Sequence, residues 1–224
     1  MTSKLSRRLE TIISFVGKDS YPADIGSDHA LVPIELISRG IVKHAFAVEN
    51  KIGPYKRMQS AIKEAGFEKE ILCSLGYGIA PIPNDVNEVI LAGMGGELIS
   101  SILLSHPEKL VNVSYLVIDA HREYPFLLEK LGDIGFLAIE DSFFYDKEKP
   151  YCVYRFKNIH HPIGYSPLEC YFGPIEITRK SKAWRTYFLS LLKTKEAILM
   201  QQNLSFSVKE ELEKEINLIK HNVL

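Results

Sequence analysis

The chain has 224 residues, enough for one large domain or one domain plus a small addition, and 46% of them are hydrophobic. The net charge of −1 gives no hint of a nucleic-acid partner. No run of 18 apolar residues is present, so we expect no membrane span, and no apolar h-region follows the basic residues near the N-terminus, so we expect no signal peptide. Three scattered cysteines without a CxxC pair indicate reduced thiols in a cytoplasmic protein, with no disulfide and no metal site.

Strand-like and helix-like segments alternate along the first two thirds of the chain, after an opening amphipathic helix between Leu5 and Val16. The predicted strands are Ala23–Gly26, Ala45–Glu49, Ile71–Leu75, Val89–Ala92 and Tyr115–Asp119. The predicted helices are Ala30–Arg39, Tyr55–Ala65, Leu98–Leu104 and Glu123–Leu131. Strands joined by helices predict right-handed crossovers and a parallel sheet. The strands lack apolar/polar alternation, which indicates burial on both faces.

Two extended runs follow, Phe136–Tyr145 and Tyr151–Phe156, and we interpret them as an antiparallel hairpin at the sheet edge. Five parallel strands plus a terminal hairpin predict an α/β fold, the Rossmann-like sheet of class I methyltransferases. A Gly- and Pro-rich linker over residues 158–174 precedes two amphipathic helices, the second beginning with a capping box at Ser207–Glu210. We therefore expect a Rossmann-like catalytic domain over residues 1–160. Residues 161–224 would form a linker and a coiled-coil-like helical hairpin.

The loop after the first strand, Asp24-Ile25-Gly26-Ser27-Asp28-His29, lies where open parallel sheets bind ligands. A nicotinamide or flavin enzyme would need G-x-G-x-x-G here to approach a pyrophosphate. This loop has one glycine and two acids, and carboxylates repel a pyrophosphate. They suit S-adenosylmethionine, which carries a sulfonium and an ammonium group, and Gly26 lets the chain approach its methionine portion.

The later strand ends offer further contacts, each with a simpler alternative. Glu49 could accept the ribose hydroxyls of an adenosine, or cap the next helix. Gly76-Tyr77-Gly78 could enclose the adenine ring, or form a turn. Ala92–Gly96 holds three glycines where a methyl donor and its acceptor would meet. His121 could hydrogen-bond a base, or be structural.

A basic run without an acid extends from Arg179 to Lys195. An anionic partner would respond to this local charge rather than to the net charge of the chain. A solvated helix face explains the run equally well.

Together, these motifs resemble the bacterial tRNA (adenine-N1)-methyltransferase family that modifies adenine 22 of the D-arm. The resemblance rests on A-D-I-G-S-D-H-A at residues 23–30 with Pro33, on A-G-M-G-G at residues 92–96, and on two G-P pairs, at residues 53–54 and 173–174. The chain differs at Tyr77, where the family usually has an acidic or amide residue. It also differs at Asp119-Ala120-His121, where the family usually has Q-P-N.

The resemblance implies methyl transfer from S-adenosylmethionine to N1 of an adenine in tRNA. N1 already has a lone pair, so the enzyme must position the base and stabilise a cationic product. Asp28 is the first candidate for the electrostatic role, and Asp119 and His121 for holding the base. The predicted cofactor contacts are Asp24, Gly26, Ser27, Asp28, His29, Glu49, Asn50, Gly76, Tyr77, Gly78, Ala92, Gly93, Met94 and Gly95. The predicted tRNA contacts are Lys4, Arg7, Arg8, Arg179, Lys180, Lys182, Arg185, Lys193 and Lys195.

Other functions stay open at this point. A methyltransferase could act on a small molecule or a protein instead of tRNA. The changes at Tyr77 and at 119–121 also allow a non-catalytic RNA- or protein-binding module on the same fold. A nicotinamide-dependent oxidoreductase ranks last, for want of the glycine fingerprint. The oligomeric state has no signature in the sequence.

Overall fold

A computed structural model of the protein describes residues 5–201 and 203–224. Its strands are β1 (Pro22–Ile25), β2 (Ala45–Glu49), β3 (Ile71–Leu75), β4 (Glu88–Met94), β5 (Tyr115–Ala120), β6 (Phe136–Asp146) and β7 (Lys149–Asn158). Its helices are α1 (Arg7–Phe15), α2 (Leu31–Ser38), α3 (Ile52–Ala65), α4 (Gly96–Ser105), α5 (Tyr124–Asp133), α6 (Pro167–Phe172), α7 (Glu176–Arg179), α8 (Lys182–Leu199) and α9 (Phe206–Val223). A 3₁₀ helix, Pro107–Asn112, connects α4 to β5.

All seven strands form one sheet in the order β3-β2-β1-β4-β5-β7-β6. Strands β1 to β5 are parallel, and β7 pairs antiparallel with both β5 and β6. The predicted α/β class with a terminal antiparallel hairpin is therefore confirmed. The strand order reverses between β1 and β4, which opens a crevice at their carboxyl ends.

Helices cover both faces of the sheet, as the continuous apolar strands predict. Every residue of β1 and β2 is buried. Phe46 and Val48 join the core beneath α4 and α5, while Ala45 and Ala47 face α3. The alanines leave room for Met58 of α3, which is fully buried. Helices α1 and α2 share the α3 face.

The hairpin turn is tighter than the predicted five-residue link. Strand β6 reaches Asp146 and β7 begins at Lys149, so only Lys147 and Glu148 lie between them. Both residues have positive φ angles, 47° and 67°. That conformation matches the right-handed twist of paired strands.

Several element boundaries differ from the predicted ones, and three differences have a local cause. Helix α3 begins at Ile52 rather than Tyr55, because Pro54 fits a first helical turn, whose N–H groups need no helical partner. Residues 158–174 are not a plain linker, since Ser166 and Glu169 form a capping box for α6. The capping box predicted at Ser207 is wrong: the N-cap of α9 is Ser205, whose side chain accepts the N–H of Val208.

The C-terminal helices α8 and α9 form a hairpin with its own apolar centre, in which Trp184 is fully buried. This hairpin packs on the edge strand β6, where the Phe143 and Tyr187 rings lie 5.5 Å apart. A domain boundary at residue 160 stays a prediction. None of the described helices combines the length and apolar character needed to cross a membrane.

Candidate functional site

A cleft of about 230 Å³ opens at the carboxyl ends of β1 to β4. Seven of the predicted cofactor residues line it: Gly26, Glu49, Asn50, Gly76, Tyr77, Gly78 and Met94. The other lining residues are Ile25, Val48, Lys51, Leu98 and Ile102. Leu98 and Ile102 were missed as site residues, although their spacing of four places them on one helix face.

The floor of the cleft depends on Gly26. Its φ angle is +80°, and a Cβ atom at this position would lie 2.6 Å from Cε of Met94. The N–H groups of Gly26 and Ser27 both donate to the carbonyl of Val48, at 2.8 and 3.0 Å. The loop at Gly26 and Ser27 is therefore fixed by backbone hydrogen bonds and lies directly against Met94.

Glu49 is buried at the end of β2. Its Oε1 accepts the N–H groups of Asn50 at 2.9 Å and Lys51 at 3.2 Å. Its Oε2 has no hydrogen-bond partner within the described part of the chain. The N-cap of α3 is Lys51 without a side-chain cap, so Glu49 does not cap that helix. One carboxylate oxygen stays available to a ligand.

Asp24 and Ser27 form the buried polar part of the first loop. Burial raises the pKa of Asp24 to about 6, while the neighbouring Ser27 hydroxyl and, less strongly, the positive charge of Arg8 oppose this shift. The hydroxyl of Ser27 is also buried and has no hydrogen-bond partner within normal distance among residues 5–201 and 203–224. Such unpaired buried groups are costly in a free protein and indicate a place for a polar ligand.

Asp28 and His29 lie outside the cleft. Asp28 is partly exposed and pairs with Arg57 of α3 at 2.7 Å, and His29 Nε2 lies 3.7 Å from its other oxygen. This exposed pair ties the first loop to α3. The catalytic role predicted for Asp28 stays a prediction, but its carboxylate is already engaged.

At the end of β5, Asp119 is fully buried and its Oδ2 accepts a hydrogen bond from Nε of Arg8. Burial raises the pKa of this carboxyl group, and Arg8 opposes the shift. The structure thus brings a residue predicted to bind tRNA against one predicted to hold the base. The partner could not be found from the sequence, since 111 positions separate the two residues.

His121 is exposed beside this pair, and its ring lies edge-on to Tyr151 at 6.3 Å. It also borders a second cavity of about 420 Å³ between the end of β5, the β6–β7 hairpin and α8. The aromatic residues in its lining are Tyr124, Phe143, Tyr151, Tyr154, Tyr171, Phe172, Tyr187 and Phe188. This aromatic cavity combines flat apolar faces with a histidine at a strand end.

The remaining basic residues predicted to contact tRNA fall into two groups. Arg179 pairs with the buried Asp141 and Glu176, and Lys195 pairs with Glu215, so their charges are largely balanced. Four of them are exposed, namely Lys182, Arg185 and Lys193 on α8 and Arg7 on α1, whereas Lys180 is half-buried. Lys4 lies outside the described residues.

The strand order, the cleft and the strand-end loops together define a class I methyltransferase architecture. Residues 5–154 match the family described as methyltransferase domain, and the chain belongs to that family.

Individual relatives show more specifically which methyltransferases this chain is similar to. A tRNA (adenine(22)-N(1))-methyltransferase of Bacillus subtilis (strain 168) is 28% identical over 149 residues, which make up 66% of this chain and 63% of that relative. The match thus spans less than two thirds of the relative. Sp1610 of Streptococcus pneumoniae, provisionally assigned as a tRNA (m1A22) methyltransferase, has a crystal structure that is 29% identical. It superposes with a TM-score of 0.93 over 99% of this chain and 100% of that one.

A second crystal structure of Sp1610 contains S-adenosyl-L-methionine, and its TM-score to this chain is 0.90 at 29% identity over 99% of this chain and 100% of that one. The loop motifs predicted a resemblance to the bacterial tRNA (adenine-N1)-methyltransferase family, and this resemblance is therefore confirmed.

Proposed function

We propose that this chain is an S-adenosylmethionine-dependent methyltransferase that methylates N1 of an adenine, at position 22 in the D-arm of a cytoplasmic tRNA. The observation that carries the proposal is the cleft at the switch point of the sheet, which gathers residues from four strand-end loops. The likeness to Sp1610 and to the Bacillus relative supports the same activity.

The residues of the cleft fit a sulfonium nucleoside. The free Oε2 of Glu49 suits the ribose hydroxyls, and the cleft bordered by Gly26 and Met94 admits the methionine portion. The buried Ser27 hydroxyl, which has no hydrogen-bond partner within normal distance among the described residues, and the buried Asp24 carboxylate provide polar groups for a ligand. When bound, S-adenosylmethionine supplies an electrophilic methyl group.

The protein's part in the reaction is to position the acceptor. N1 of neutral adenine carries an in-plane lone pair, so no strong base has to create the nucleophile. The base must leave its stack to reach the site, as in other base-modifying enzymes. Aromatic faces such as those of Tyr151 and Tyr187 can stack on an extruded base. The exposed imidazole of His121 can hydrogen-bond the edge of that base.

The tRNA backbone would follow the exposed basic residues. Lys182, Arg185 and Lys193 are exposed on α8, whereas Trp184 and Phe188 of the same helix are buried. No ion pair engages these three residues within the described part of the chain. Free cations on one face supply the sequence-independent part of RNA binding.

The test is methylation of an unmodified tRNA transcript in vitro, followed by mass analysis of its nucleosides. We expect 1-methyladenosine in a transcript with adenine at position 22, and none when guanine replaces it. Methylation that persists after that replacement would move the acceptor elsewhere. Cofactor binding without methylation of any tRNA would favour another acceptor or a non-catalytic binding module.

A further inference from the structure

Arg8, on the opening helix α1, reaches the carboxyl edge of the sheet, where the parallel strands end. Asp24 pairs in register with Ile90, and Ile90 with Val117, so Asp24 and Asp119 lie on the same sheet face. Ile90 and Val117 share a core with α1. The side chain of Arg8 therefore lies beneath the ends of β1, β4 and β5, where it pairs with Asp119.

The guanidinium of Arg8 lies over the Tyr151 ring, 5.8 Å from its centroid, and its hydrogen-bonding capacity is only partly used. Nε donates to Asp119, and neither Nη1 nor Nη2 has a hydrogen-bond partner among the described residues. Nη2 lies against Gly93, where a Cβ atom would approach it to 3.0 Å. The next residue, Met94, lines the cleft. Two donor groups thus remain free beside the cleft, and 23% of the side chain is exposed.

We propose that Arg8 binds the carboxylate at the amino-acid end of the methyl donor, an inference that rests on the function proposed above. That end is a zwitterion. Asp24 offers a carboxylate for its ammonium group, and the planar guanidinium matches a carboxylate with two parallel hydrogen bonds. Asp119 is then a positioning residue that holds the guanidinium from behind. Arg8 binds the donor in this arrangement, and not the tRNA backbone.

Two nucleoside ligands separate this role from a general effect on the cleft. S-adenosylhomocysteine carries the amino-acid end, and 5′-methylthioadenosine lacks it. In Arg8→Ala we expect calorimetry to show S-adenosylhomocysteine binding weakened on the order of 10- to 100-fold, as for loss of a charged hydrogen-bonding partner. Binding of 5′-methylthioadenosine should stay within about twofold of the wild type.

The matched control is Arg7→Ala. Arg7 is the neighbouring arginine on α1, and its guanidinium lies over the Phe144 ring at 4.8 Å instead of pairing with an acid. We expect this variant to bind both ligands as the wild type does. Arg8→Lys keeps the charge but loses the two-pronged geometry, and should bind S-adenosylhomocysteine with intermediate affinity.

Arg8→Ala leaves the buried Asp119 without its cation, so Arg8→Ala/Asp119→Asn provides the same comparison without an unpaired buried charge. Equal weakening of both ligands would overturn the proposal, because Arg8 would then shape the cleft as a whole. Unchanged affinity for both would overturn it as well. A wild-type protein that binds neither ligand would remove the proposed function itself, a result that no Arg8 variant can mimic.

Discussion

Two arginines in this protein lie beside pairs of buried carboxylates. The hydrogen bonds that each guanidinium makes distinguish the proposed ligand site from a purely structural contact. Arg8 pairs with Asp119 at the carboxyl edge of the sheet, and its charge also reaches Asp24. Arg179 pairs with Asp141 and Glu176 where the C-terminal helices meet β6.

The junction cluster around Arg179 is closed. Nε donates to Oε1 of Glu176 at 2.9 Å, Nη1 to the backbone carbonyl of Asp141 at 3.4 Å, and Nη2 to both acids. Oε2 of Glu176 accepts the N–H of Ser181 at 2.9 Å. Of these carboxylate oxygens, only Oδ2 of Asp141 is buried without a partner. Every nitrogen of the guanidinium is engaged within the chain, which identifies a structural joint.

The cluster around Arg8, at the carboxyl edge of the sheet, is open by the same measure. Only Nε of Arg8 has a partner among the described residues, and Oδ1 of Asp119 and the Ser27 hydroxyl are buried without one. Asp141 also keeps one unpaired oxygen, so the two clusters differ chiefly in their guanidinium nitrogens, which are all engaged in Arg179 and mostly free in Arg8. This difference supports the ligand role proposed for the open cluster and indicates that the closed cluster attaches the helical hairpin.

Removal of Arg179 should have the largest effect on stability. Arg179→Ala leaves Asp141 and Glu176 buried without their cation. We expect a loss of about 2–3 kcal/mol in the free energy of unfolding, below the cost of breaking a wholly buried pair because 43% of the Arg179 side chain is exposed. For a protein of this size that corresponds to a melting temperature lower by roughly 4–12 °C.

Arg185→Ala is the control for this variant. Arg185 is exposed and donates only to the carbonyl of Lys180, so its removal should change the unfolding free energy by less than about 0.5 kcal/mol. Equal melting temperatures for the two variants would contradict the assignment of a structural joint. They would also restore Arg179 as a candidate contact to tRNA.

The second prediction concerns the pH dependence of ligand affinity. Burial raises the pKa of Asp24 in the open cluster and of Asp141 in the closed one to about 6. If the Asp24 carboxylate accepts the ligand's ammonium group, only its ionised form, which predominates above a pH of about 6, binds tightly. Affinity for S-adenosylhomocysteine should then fall about tenfold per pH unit below that value. Calorimetry from about pH 5 to about pH 8 measures this.

The contribution of Asp24 to stability has the opposite sign. Its folded-state pKa of about 6 lies above the ordinary 3.8, so the folded protein binds more protons than the unfolded chain between these values. Stability from this group therefore decreases as pH rises through that window, while affinity increases. Asp24→Asn should flatten the affinity profile, and Asp141→Asn should leave it unchanged. A profile that depends on Asp141 would contradict the division between the two clusters.

The parallel sheet, its terminal hairpin and the strand-end loops could be predicted because they depend on local signals, namely apolar runs, intervening helices and glycines. The different roles of Arg8 and Arg179 could not be predicted from the sequence, because the residues next to an arginine do not show which distant acid it pairs with. Asp141 lies 38 positions from Arg179, and Asp119 lies 111 from Arg8. The pairing of Asp28 with Arg57 was missed for the same reason. Helix α6 was missed because its Gly- and Pro-rich flanks resemble a linker, although Ser166 and Glu169 supply the N-terminal signal that marks it.

The smallest expected effect belongs to the free cations beside the closed cluster. In Lys182→Ala/Arg185→Ala/Lys193→Ala we expect tRNA affinity to fall by at most about tenfold at moderate salt. The slope of log affinity against log salt should become shallower by about 0.7–0.9 for each phosphate that these side chains no longer neutralise. Binding assays over a salt series measure both quantities, and S-adenosylhomocysteine affinity serves as the internal control. Because Arg179 and Lys195 are already paired with acids, removing these three exposed charges should remove most of the electrostatic contribution of the basic run over residues 179–195. A salt slope that stays at the wild-type value would mean that the tRNA backbone follows another face of the molecule, and that the outer face of α8 is only a solvated surface.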